Sequence, residues 1–106
     1  MPLNVESLSN HAKTLLLASL ASEVTICARD TYEVGTDQVM RPELLRAYNE
    51  LLHRVTGAVR DHLVGREGYS LKDILEMLQA FGEKNGKAGE MQWVLEQATK
   101  IALRDA

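Results

Sequence analysis

The sequence predicts an all-α protein, a four-helix antiparallel bundle with a long first helix. Three observations predict it. Apolar residues recur three and four apart along most of the chain. No segment alternates apolar and polar residues between turns, as a half-buried strand would. Most of the glycines (Gly35, Gly65, Gly68, Gly82, Gly86 and Gly89) fall between the periodic segments, and the only prolines are Pro2 and Pro42. At 106 residues the chain is one domain's worth, read as a single helical-bundle domain over 1–106.

The first helix is expected from about Asn4 to Glu33, stopping before the turn-like Gly35-Thr36-Asp37. The second opens at Pro42, a favoured first-turn residue, with Glu43 complementing the positive helix end. Its apolar stripe reads Leu45, Tyr48, Leu52, Val55, Val59, His62 and Leu63, and it should end near Gly65. The third starts at Ser70, whose partner three residues on is Asp73, close to a capping box. It presents Leu71, Ile74, Leu75, Leu78 and Phe81 and is expected to stop at Gly82, before the loop-like Glu83-Lys84-Asn85-Gly86-Lys87. The fourth runs from about Ala88 to Leu103, with Met91, Val94, Leu95, Ala98, Ile101 and Ala102 inward.

Composition narrows the function classes. Hydrophobic residues make up 45% and charged residues 25%, the balance of an ordinary globular domain. The net charge is −3 with acids and bases interspersed, so the basic footprint of a DNA binder is absent and no DNA partner is expected. Cys27 is the only cysteine, which excludes an internal disulfide and a cysteine-based zinc site and suits a reducing compartment. The run Leu15 to Ala21 after Lys13 has the outline of a signal-peptide core. Glu6 and His11 precede it and no small-x-small cleavage site follows, so a cytoplasmic protein is expected. Glu23 cuts that run short of the ~20 apolar residues a membrane span needs, and no membrane partner is expected.

The first helix is the element that points outward. Ala12, Leu16, Leu20, Val24 and Cys27 lie on one side, and Leu17, Ala21 and Ala28 lie round another. A helix apolar over that much of its circumference is central, faces a partner, or both. A homodimer through this helix is therefore expected, with Leu17 and Ala21 as interface candidates and Trp93, one position off the inward stripe of the fourth helix, as an anchor candidate.

Polar residues concentrate on the first hairpin. Arg46, His53 and Arg60 recur every seven residues on the second helix, with Asn49 and Thr56 between them. Glu23 and Asp30 are seven apart on the first. Folding the hairpin about residue 38 sets Asp30 opposite Arg46 and Glu23 opposite His53, with Tyr32 and Glu33 at the same end. Interhelical acid–base pairs of this kind commonly fix bundle register without chemistry, and that structural role is preferred. The other role is a polar site between helices, where bundles hold ligands and metals. Glu50-Leu51-Leu52-His53 has the Glu-x-x-His spacing of a di-iron bundle, but His11 and His62 have no glutamate three residues before them. No metal site and no cofactor are expected.

Arg46-Ala47-Tyr48-Asn49-Glu50-Leu51-Leu52-His53 resembles the arginine–histidine motif of HEPN-type ribonucleases, small four-helix proteins. The resemblance implies catalysis by Arg46 and His53. An arginine can hold a phosphate, and a histidine can give or take a proton near neutral pH. It covers eight residues and departs where Ala47 replaces the usual polar residue after the arginine. The preferred function is non-enzymatic: a cytoplasmic accessory or regulatory bundle acting through protein–protein interaction, with a possible partner encoded nearby.

Overall fold

The computed structural model describes residues 7–34 and 42–105, with side chains throughout except at residues 30–34, 42 and 105. The described residues form four helices and no strand: α1 (Asn10–Val34), α2 (Pro42–Leu63), α3 (Leu71–Asn85) and α4 (Ala88–Asp105). With 25 residues α1 is the longest, followed by α2 with 22.

α1 begins at Asn10 and not at Asn4, because Ser9 caps it. The Ser9 hydroxyl accepts from the Ala12 amide at 3.1 Å and the Ser9 carbonyl accepts from the Lys13 amide. Ser70 and Asp73 form the full capping box, each side chain accepting from the other residue's amide, at 3.1 and 3.0 Å.

α3 continues through Gly82 to Asn85, three residues further than expected. Gly86 supplies the left-handed cap, with φ of 68°, and the Lys87 amide donates to the Gly82 carbonyl at 2.8 Å. Gly82 has a different task. It is buried, and a Cβ there would meet the Ala88 Cα at 2.9 Å, so only glycine lets α3 and α4 approach this closely at their shared turn.

Neighbouring helices run antiparallel. The His62 ring lies 3.4 Å from the Asn10 carbonyl, so the end of α2 meets the start of α1. The Tyr48 and Phe81 rings are 4.7 Å apart and tilted at 51°, so the start of α2 meets the end of α3. A two-residue turn folds α4 back on α3. α1 closes the ring, packing extensively on both α4 and α2.

The core follows a heptad-like seam. α2 contributes Leu44, Tyr48, Leu51, Val55 and Ala58, spaced four and three apart. This line is rotated from the expected stripe: Leu45 is 41% exposed and Leu63 66%, while Leu44, Leu51 and Ala58 are buried. The rotation arises because α2 is wedged between α1 and α3, so its buried face is centred on the bisector of two neighbours. On α3 the buried line is Leu71, Ile74, Leu78 and Phe81, and on α4 it is Met91, Val94, Ala98 and Ala102.

Two glycine substitutions test this packing. Gly57→Ala, in α2 with nothing within 4 Å of the added Cβ, should stabilise the fold by roughly 0.5–1 kcal/mol in urea unfolding. Gly82→Ala should destabilise it by about 1–3 kcal/mol. Equal and small effects at both positions would mean that the α3–α4 approach is looser than described here.

Candidate functional site

The hairpin of α1 and α2 carries most of the singled-out polar residues. Arg46, Asn49 and His53 are all exposed on α2. Asp30, Tyr32 and Glu33 are on α1, but their side chains lie outside the described residues, so the Asp30–Arg46 pairing does too. Glu23 is only 9% exposed and has no hydrogen-bond or ion-pair partner among the described residues. Its expected facing to His53 is not made. The contact of His62 with Asn10 sets the end of α2 beside the start of α1. Glu23 also sits at a heptad position of the buried seam, between Leu20 and Cys27, and not on the outer face that His53 occupies.

The two flanks of each helix can be told apart. A groove of about 490 Å³ between α3 and α4 is floored by Leu75, Leu78, Met91 and Leu95, so these α4 residues mark the flank facing α3. Trp93 and Gln97 therefore lie on the flank of α4 that faces α1, at 100° per residue round the helix. A second groove, between α2 and α3, takes in Glu50, Leu51 and Arg54 of α2. Glu43, Glu50 and Asp61 fall on that same α3-facing side of α2. Arg46, His53 and Arg60 occupy the outer face instead. Heptad spacing falls short of two full turns, so the stripe drifts towards α1 as it descends. On α1, by the same geometry, Glu23 is on the flank facing α4, and Leu17, Ala21 and Val24 are on the flank facing α2.

Leu17 is not an interface residue: at 2% exposed it is packed inside the chain's own core, and Ala21 is half-buried against that core. The wide apolar surface of α1 serves two intramolecular neighbours. Its outward residues are His11, Ala18, Ser22, Thr25 and Arg29. Between Lys13 and Arg29 the only charge on α1 is Glu23, which is buried, so about four turns of outer surface carry none. Trp93, 42% exposed, lies beside this surface.

Arg46 and His53 are separated by two turns, about 10 Å along the helix axis, on a convex exposed surface. Neither lines a described groove. A ribonuclease needs the two groups to converge on one phosphate, and over that separation convergence would require the long Arg46 side chain to reach across two turns. Among the described residues no three His, Cys, Asp or Glu side chains gather as a metal ion would require. Among the described residues no helix is long and apolar enough to cross a membrane. No protein-family model matches the chain, and no curated protein or solved structure shows significant similarity to it.

The spacing of Glu23 puts it on the same side of the first helix as Leu16 and Cys27, and it is buried there with them. A carboxylate at a core position without a partner is a net cost. Glu23→Met should therefore raise stability, by about 1 kcal/mol in urea unfolding. A loss of stability would show that the carboxylate is held by a partner.

Proposed function

We propose that the protein acts by binding and not by catalysis, as a cytoplasmic accessory or regulatory component, and that it self-associates through the face shared by α1 and α4. The observation that carries this reading is Trp93, half-exposed on the α1-facing flank of α4 beside the uncharged outer surface of α1. Tryptophan is enriched among residues that dominate binding energy, and the α1 strip beside it can be dehydrated cheaply, with Glu90 and Lys100 of α4 as a charged rim around Trp93. Ala18 and Ser22 leave the backbone of α1 open to close approach, and half-buried Leu15 and Ile26 flank them. A two-fold axis across this face would pair α1 with its own copy, the commonest arrangement for a small soluble oligomer. A protein partner encoded nearby is compatible with this arrangement, since the face leaves α2 and α3 uncovered.

Sedimentation velocity and light scattering at micromolar concentration should show a dimer. Ser22→Glu and Trp93→Ala should each shift it towards monomer with the helical circular dichroism unchanged, because neither side chain belongs to the core. A wild type that stays monomeric at high concentration would overturn the self-association. Incubated with bulk RNA, wild type and His53→Ala should both leave it intact. Cleavage by wild type that is lost in the variant would replace this reading with the ribonuclease one.

A further inference from the structure

Glu23 is the one buried charged residue among the described residues, and the bundle itself makes no use of its charge. The residue is more than nine-tenths buried, yet no described neighbour gives its carboxylate a hydrogen bond or an ion pair. On α2 the side chains towards α1 are Leu52 and Val59, and the bases lie on the outer face. On α4 the flank towards α1 carries Trp93 and Gln97, with Glu90 and Lys100 at its rim. The carboxylate oxygens themselves are not sealed from water. The stem of Glu23 is therefore buried while its end opens at the seam between α1 and α4. Trp93 stands on the other wall of that seam, and its indole N–H has no acceptor among the described residues. One face thus holds a carboxylate that only accepts and an indole that only donates, and the two do not bond within the chain.

We propose that in the self-associated protein the Trp93 indole N–H of each copy donates to the Glu23 carboxylate of the other. The proposal rests on the self-association given above and names the contact that selects a second copy as the occupant of the face. A two-fold axis running across the helices lays α1 on α1 and α4 on α4, antiparallel, so that each α1–α4 seam covers the other. Any contact across such an axis is made twice, and a face holding both donor and acceptor is complementary to itself. Association strips water from both groups, and each is left unsatisfied unless it finds the other. A hydrogen bond to a charged acceptor in a dehydrated face is among the stronger ones. Lys100 of the second copy is the competing donor, but its flexible stem lets the ammonium stay hydrated at the rim. The Trp93 N–H has no such freedom, because it is carried into the interface with its ring. A carboxylate that costs the free chain stability is thus kept for the contact it makes in the dimer.

The test measures the dimer dissociation constant by sedimentation velocity and follows the emission of Trp93, the only tryptophan in the chain. Wild-type emission should move to longer wavelength as dilution separates the copies and returns the indole to water. Trp93→Phe keeps a ring and removes the N–H, and Glu23→Gln keeps the shape and removes the charge. Each should weaken association roughly tenfold, since each removes a charge-assisted hydrogen bond made twice. The double variant should be no more than about twofold weaker than either single one, because both remove the same contact. Glu23→Met should weaken association as well, while raising the stability of the chain at concentrations where it is monomeric. A carboxylate with a purely structural role would not give that split. Lys100→Met should change the dissociation constant less than about twofold, as expected for an exposed rim charge. The proposal is overturned, with self-association intact, if wild type dimerises and Trp93→Phe or Glu23→Gln matches it. Additive effects of the two substitutions, or a Lys100→Met as weak as either, would overturn it too. A wild type that stays monomeric at high concentration overturns self-association itself, and this contact with it.

Discussion

The structure depends on α1 being a wall shared by two neighbours. α1 buries Leu16, Leu17, Leu20, Val24 and Cys27 between α2 and α4, and the first four are among the most enclosed of the described residues. Burying a large aliphatic side chain is worth about 1.5–3 kcal/mol, and no other helix divides that burial between two such extensive interfaces. α3 is the counterpart on the far side. It is shorter, its contacts with α2 and α4 are fewer, and both flanks are grooved. The apolar breadth of α1 is thus explained inside the chain, and its outer strip of small, uncharged residues is what remains for a partner.

That constraint also governs the charges. α1 and α2 meet through apolar side chains, so the polar residues of α2 are left to its outer face and its α3 side: Arg46, His53 and Arg60 lie on the first, and Glu50 and Arg54 line the groove on the second. Glu23 is the exception, a carboxylate held at a seam position of the most heavily packed helix.

The parts of the fold legible in the sequence are those set by neighbouring residues. The start of α3 was readable because Ser70 and Asp73 satisfy each other within one turn, and Pro42 marked the start of α2 for the same local reason. Gly82 was misread as a stop, since a glycine needed for close helix approach and one needed for a left-handed cap look alike until the neighbouring helix is in place. Leu45 and Leu63 were assigned inward because the buried face of α2 depends on where α1 and α3 lie. Leu17 was offered to a partner because periodicity shows which residues avoid water but not whose surface covers them. The polar stripe of Arg46, Asn49 and His53 was visible, whereas the seating of Glu23 in the seam, away from His53, depends on helix rotation.

Hydrogen exchange followed residue by residue tests the role of α1 most directly. If α1 is the shared wall, its amides from Leu16 to Cys27 should exchange only when the whole chain unfolds, and should be the last to exchange. The outer turns of α3 should exchange earlier, through local opening. Protection that is greatest in α3 and α4, with α1 exchanging ahead of them, would contradict the account.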